Sequence, residues 1–220
     1  MGNRSSGESS WASCCFKRDE DEEPPLDASS ATVTMKAVPR GKLSRDLMFQ
    51  GHERGKDLAD SYDLDEEVLG RGGFGTVRRA VMKGNPSVVR AVKTVKKRNQ
   101  RMINATLREI GALRRLDHPG ICRLTETFED QKCIYLVLEY IEGQELFDDV
   151  QAVIMRSKRY DERRAAGIMH QVFSALRYCH ERSVIHRDLK PENIMVLKLP
   201  DGVTGDESTV PPIKIIDFGL

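Results

Sequence analysis

The ten residues "VIHRDLKPEN", 184–193, set a carboxylate, a cation and an amide at offsets of zero, two and five: Asp188, Lys190 and Asn193. Together they can divide one reaction among themselves. Asp188 can accept the proton of a hydroxyl, and Lys190 can neutralise charge on a phosphoryl group in transfer. Asn193 can ligate a divalent ion through its amide oxygen. No demand of folding alone asks for these residue types in this order.

A second set lies upstream. "GRGGFGTV" carries glycines at 70, 72, 73 and 75 and closes on Val77. Glycine lets backbone amides approach phosphate oxygens with no Cβ in the way. Glycine-rich turns between strands also arise without any ligand. A dinucleotide site would need a helix directly after the glycines, where "TVRRAVM" reads as strand. Sixteen residues past Val77, Lys93 in "RAVK" either points inward toward phosphates or lies exposed on its strand. A further sixteen residues on, Glu109 either caps a buried Lys93 as an ion pair or is an ordinary exposed helix acid.

The elements that must hold these groups follow from periodicity. Residues 1–60 show no sustained period, an acidic run at 19–23 and Pro24-Pro25, and read as a disordered leader. Order begins near Tyr62, with two short strands joined by the glycine turn. "VVRAVKTV" at 88–95 is a third strand and "CIYLVLEY" at 133–140 another. The spacing of apolar residues 107, 110, 113 and 116 predicts a helix over 104–116. The longest helix is expected over 161–183, with its apolar stripe through 165, 168, 169, 172, 173, 176 and 179. "NIMVL" and "IKIIDF" form a strand pair, and the polar insert between them, 198–212, is expected to loop out.

Composition sets outer limits. The 220 residues are 39% hydrophobic and 31% charged, which fits one ordinary domain plus a tail. A net charge of +1 gives no pointer to a nucleic-acid partner, and no apolar run approaches the roughly 20 residues that span a bilayer. Residues 78–115 nonetheless hold 12 Lys or Arg against one acid, Glu109. That block is a solvated face, a phosphate-facing surface or a docking site for an acidic partner. The five cysteines, at 14, 15, 122, 133 and 179, form no C-x-x-C pair. They suit a reducing compartment, with the last three as small core residues.

Taken in order, the glycine loop, the strand lysine, the helix glutamate, the 184–193 loop and Asp217-Phe218-Gly219 resemble the signature set of eukaryotic protein kinases over about 64–220. The resemblance implies an α+β bilobal fold: a complete N-lobe of antiparallel sheet plus one helix at 61–141, and the first part of a helical C-lobe at 142–220. It implies ATP and Mg2+ as ligands and Ser/Thr of proteins as substrates, Lys190 being the serine/threonine form of the loop. Gly70, Gly72 and Gly75 would cover the phosphates, with Leu69, Val77 and Ala91 also against the nucleotide. Lys93 would pair with the phosphates and Glu109, while Asn193 and Asp217 hold magnesium. Leu138 would stand beside the adenine, with Glu139 and Tyr140 in the hinge, and Glu145 would contact the ribose. Leu113, His186 and Phe218 match the family's apolar stack.

Within that family, "LDHPGICRLTETFEDQKCIYLVLEYIEGQELFD" is similar to the calcium-dependent kinases of plants and alveolates, in the calmodulin-dependent group. No D-x-[DN]-x-[DN]-G calcium loop occurs in these residues. The start, "MGNRSS", fits M-G-x-x-x-[ST], which makes Gly2 a myristoyl acceptor. One such chain binds membranes marginally, and Cys14 and Cys15 would supply a second, palmitoyl signal. The expected location is therefore cytoplasmic, at a membrane surface when acylated. The chain finishes on "KIIDFGL", which by resemblance stops inside the catalytic domain and leaves the outer face of the long helix uncovered. Two functions stay open: an ATP-dependent kinase, or a non-catalytic nucleotide-binding or interaction module derived from one.

Overall fold

The computed structural model describes residues 57–72, 75–199 and 209–218. The chain divides into two units, Met1–Gly41 and Lys42–Leu220, and every described residue belongs to the second. The acylation candidates Gly2, Cys14 and Cys15, most of the leader, Gly73 and Phe74, 200–208 of the insert, and Gly219 and Leu220 lie outside the described residues.

Five antiparallel strands form the first layer: β1 (Tyr62–Gly72), β2 (Gly75–Met82), β3 (Val89–Lys96), β4 (Leu124–Glu129) and β5 (Cys133–Glu139). Their spatial order is β1-β2-β3-β5-β4. Both faces are covered, because alternate residues leave a strand on opposite sides. Val92 and Val137 join Tyr62, Ala80 and Phe128 on the outer side, beneath the one-turn helix α1 (Leu58–Ser61) and its buried Leu58. Order thus starts a few residues ahead of Tyr62. On the inner side, Val95, Ile134 and Leu136 pack against Ile110 and Leu113 of α2 (Gln100–Leu113).

α2 begins four residues before the apolar spacing suggests. The Asn99 side chain accepts a hydrogen bond from the Met102 amide at 2.9 Å, so a polar cap, rather than the apolar period, sets its start. A second layer follows: β6 (Gly143–Glu145), α3 (Leu146–Ser157), α4 (Glu162–Glu181), a 3-10 turn (Pro191–Asn193), β7 (Ile194–Leu197) and β8 (Ile213–Ile215). α4 is capped by Asp161, which accepts from the Arg164 amide at 2.9 Å. Its Ile168, Val172, Ala175 and Cys179 are buried, at successive steps of three or four, in the core that also holds α2 and the β6-β7-β8 sheet. Met169 and Phe173, predicted to share that stripe, are 39% and 61% exposed. β4, β6 and α3 were not expected. The α+β class was.

The insert does not simply loop out. Its end lies against α4, where Gln171 Nε2 donates to the Pro211 carbonyl at 2.9 Å and Oε1 accepts from the Ile213 amide at 3.2 Å. β8 is then joined to the first layer: the Ile215 carbonyl accepts from the Cys122 amide, and the Ile215 amide donates to the Gly120 carbonyl, both at 2.9 Å.

Ile110 is fully buried on the helix that carries Glu109. Ile110→Ala is expected to cost about 2–5 kcal/mol of stability, read from urea unfolding, since packing on both sides prevents collapse around the cavity.

Candidate active site

Strand register alone gathers one wall of the site. In an antiparallel pair, residues directly opposite share a face. Val77 stands opposite Lys93, Lys93 opposite Leu136, and Ala91 opposite Leu138. All five therefore face the inner side, where α2 approaches. The same register explains Gly75: a Cβ there would lie 2.1 Å from the Thr94 carbonyl oxygen, so this glycine is required by its neighbouring strand. At Gly70 an added Cβ would meet nothing within 4 Å, so its missing side chain opens space over the cleft.

Lys93 lies at the centre. Its ammonium donates to Glu109 Oε1 and to Asp217 Oδ1, each at 2.8 Å. Lys93 and Glu109 side chains are 7% and 9% exposed, whereas that of Asp217 is 47% exposed. Burial opposes the lysine charge, and the Glu109 and Asp217 carboxylates more than offset it, holding its pKa above the ordinary value. Burial pushes the Glu109 carboxyl up, and Lys93 pulls it part of the way back.

The 184–193 loop enters after α4. Arg187 takes φ 66° and Asp217 φ 50°, both left-handed, which turns the chain sharply beside Asp188 and at Asp217. Asn193 Nδ2 donates to the Asp188 carbonyl at 2.7 Å and to its Oδ2 at 3.0 Å. Lys190 Nζ stands 3.0 Å from the same oxygen. The Lys190 and Asn193 hydrogen bonds, with the lysine charge, hold the Asp188 pKa below the usual carboxylate value. With its NH2 group so committed, Asn193 keeps its amide oxygen for another partner.

His186 locks loop to loop. Its Nε2 lies 2.9 Å from the Ile216 carbonyl, which can only accept, so the proton sits on Nε2. Nδ1 is buried without a partner, and the ring packs 4.5 Å from Phe218. Burial lowers the His186 pKa, although Ile216, Asp188 and Asp217 push the other way.

These groups line one cleft of about 710 Å3. Leu69, Gly70, Val77, Ala91, Lys93, Glu109, Leu138, Glu139 and Tyr140 border it from the first layer, and Glu145, Asp188, Lys190, Asn193 and Asp217 from the second. Gly75 is not among the described lining residues; it pairs with Gly72 at the end of the β1–β2 ladder. The Glu139 carboxylate is engaged elsewhere, accepting from the Arg123 amide and pairing with Lys214, both at 2.8 Å. Cys122, Gln144 and Met195 also line the cleft and were not expected there. Met195 was readable in principle, being the second residue of β7, directly after the turn that carries Asn193. Of the basic block only Lys93 lines the cleft, and Arg71, which precedes the block, lines it too; Arg101, Arg108 and Arg115 stand exposed on or just past α2.

Residues 64–220 match the protein kinase domain. This chain belongs to the protein kinase family. Calcium-dependent protein kinase 5 of Plasmodium falciparum (isolate 3D7) is 38% identical over 181 residues, covering 82% of this chain and 29% of that protein. Calcium-dependent protein kinase 3 of Plasmodium yoelii yoelii is 43% identical over 174 residues, 79% of this chain and 29% of that one. Calcium/calmodulin-dependent protein kinase type IV of Homo sapiens is 40% identical over 200 residues, 90% and 38% respectively. The chain thus spans well under half the length of these relatives. Among solved structures, Rad53 1-466 in complex with AMP-PNP matches 72% of this chain and 38% of its own, with a TM-score of 0.58 at 31% identity. The resemblance to the calcium-dependent and calmodulin-dependent group holds.

Two outcomes follow for this kinase domain. Lys93→Met strands a buried carboxylate and is expected to cost about 3–5 kcal/mol in urea unfolding, most of it recovered in Lys93→Met/Glu109→Leu. His186 has a folded pKa below its unfolded one, so unfolding takes up protons as pH falls below about 6.5. Stability should decline on acidification through that window, and His186→Phe should shrink the slope. His118, also lowered by burial, keeps the remainder.

Proposed function

We propose that the cleft binds Mg-ATP and transfers the γ-phosphoryl group to Ser or Thr hydroxyls of protein substrates. The observation that carries this is the joining of two ion-pair clusters in one cleft: Asp188 with Lys190 and Asn193, facing Lys93 with Glu109 and Asp217. Relatives named as calcium-dependent protein kinases, and a structural neighbour holding a nucleotide analogue, support the same reading.

Each group has a task that its geometry suits. Leu69, Val77, Ala91 and Leu138 offer an apolar slot of adenine character, and the open space at Gly70 admits phosphates. Lys93, fixed by Glu109, presents its ammonium to phosphate oxygens. The donor set for a hard cation is present: the Asn193 amide oxygen and the second oxygen of the half-exposed Asp217 carboxylate. Magnesium, when bound, neutralises charge on the phosphate oxygens. Asp188, kept ionised by Lys190 and Asn193, orients the attacking hydroxyl and receives its proton. Lys190, half exposed beside it, stands ready to offset the charge of the group in transfer.

Asp188→Asn preserves the shape of the loop and removes the proton acceptor. Phosphoryl transfer from labelled ATP to a Ser/Thr peptide mixture should fall by about 10²–10⁴, with ATP affinity within about threefold of wild type. Equal transfer by both proteins would dismiss Asp188 as the base. No transfer from a wild type that still binds ATP would leave a nucleotide-binding module.

We also propose acylation of the leader, on Gly2 by myristate and on Cys14 and Cys15 by palmitate, giving reversible attachment to a membrane surface. The chain expressed with an N-myristoyltransferase should gain one fatty-acyl mass, lost in Gly2→Ala. An unmodified mass would remove the anchor.

A further inference from the structure

Asp149 is a charged residue of α3 that is 5% exposed and touches none of the reacting groups. Its carboxylate is saturated. Oδ1 accepts from Gln144 Nε2 at 3.0 Å and Oδ2 from the Tyr160 hydroxyl at 2.8 Å, while Arg164 Nη2 reaches both oxygens at 2.9 and 3.0 Å. Arg164 is equally committed. Its Nε donates to the Tyr160 hydroxyl at 3.0 Å and its Nη1 to the Thr209 carbonyl at 2.8 Å. Nothing in the sequence pattern flags this cluster, and the proposed chemistry does not use it.

The cluster has two ends. At one, the close of the insert lies along α4 on residues 164, 167 and 171, a single helix face. A Cβ on Gly167 would lie 2.5 Å from Val210 Cγ2, so the absence of a side chain there makes the seat for Val210. At the other end Gln144 lines the cleft, and its chain neighbour is Glu145, opposite Met195 of β7. Burial, together with the Asp148 and Glu192 carboxylates, pushes the Glu145 pKa up. A carboxylate among others has to be held in place by its backbone, and the backbone here is a strand of three residues that pairs with β7 on one side and is tied to α3 by the part-buried hydrogen bond from the Gln144 side chain to Asp149.

We propose that Asp149 and Arg164 are positioning residues for Glu145: they fix β6 at the lip of the cleft, and the strap Thr209–Ile213 fixes Arg164. This rests on the nucleotide-site reading, in which Glu145 faces the ribose. Arg164 Nη2 is shared between the two Asp149 oxygens, so a displaced Arg164 frees Asp149, and with it the Gln144 side of β6, to shift while the β7 ladder, the adenine slot and the Lys93 cluster stay as they are. The signature is then selective: lost discrimination at the ribose, with the rest of the nucleotide still bound.

The test compares Mg-ATP with Mg-2′,3′-dideoxy-ATP, which lacks the ribose hydroxyls, by calorimetry on the full chain. Wild type should favour ATP about tenfold, the size of one hydrogen bond to a charged group, and Glu145→Ala should abolish the preference. Arg164→Lys keeps the charge but cannot serve Asp149 and Thr209 at once; it should lose most of the preference while dideoxy-ATP affinity holds. Gly167→Ala, which favours the helix but crowds Val210, should lose part of it, and Gly167→Ala/Val210→Gly should restore it. A folded Arg164→Lys with full preference overturns the positioning role. A Gly167→Ala chain with full preference overturns the strap. If wild type and Glu145→Ala show equal preference, the ribose assignment of Glu145 falls and the proposal with it. A wild type that binds neither nucleotide overturns the nucleotide site itself.

Discussion

One ammonium group organises this domain. Lys93 is buried on the third strand, and a lone buried cation costs several kcal/mol unless it is paired. Its partners come from sequence positions 16 and 124 residues away. α2 must therefore sit with Glu109 turned toward the sheet, and the end of β8 must bring Asp217 back across the cleft. Glu109 is the partner that matters most, because it is buried with the lysine, whereas Asp217 is half exposed. The ion cluster fixes the relation between sheet, helix and the Asp217 segment more narrowly than apolar packing does, since packing tolerates small slides and a 2.8 Å bond does not.

The apolar core supplies what the ion cluster cannot. Ile168, Val172, Ala175 and Cys179 of α4 join the same core as Leu113 of α2 and Phe218 beside Asp217. The residues that give the site its shape thus rest on one continuous floor. Onto it the chain sets its least comfortable backbone: Ser183, Arg187 and Asp217 all have positive φ. Each such residue costs about 1–3 kcal/mol and persists only where its surroundings dictate it. Here the Asn193 hydrogen bonds to Asp188 and the His186 contact with Ile216 provide that constraint.

How much was legible in the sequence depended on whether a group's role is local. Asp188, Lys190 and Asn193 could be read because one short loop sets all three. Lys93 and Glu109 could be read as a pair only through spacing and resemblance, since burial is not written at either position. The strand alternation puts Ala91, Lys93 and Val95 on one face and leaves open which way that face turns. By contrast, β4 and α3 went unread: "LTETFE" mixes polar residues into a strand that is half covered, and Met155 of α3 is 82% exposed, which blurs its period. Gly75 was assigned to phosphates, yet its own neighbour, the Thr94 carbonyl, already demands it. The Asp149–Arg164 cluster joins residues whose distance in sequence carries no signal at all. Such pairing is tertiary, and composition cannot show it.

We propose that Lys93, Asn193 and Asp217 together make a magnesium-dependent nucleotide site. Calorimetric titration of the 220-residue chain with ATP, in magnesium and then in EDTA, tests it most directly. One ATP should bind per chain, with an affinity that falls at least about tenfold when magnesium is removed, the size of one charge-assisted contact. Binding that is indifferent to magnesium would contradict the roles given to Asn193 and Asp217, and no binding at all would contradict the site.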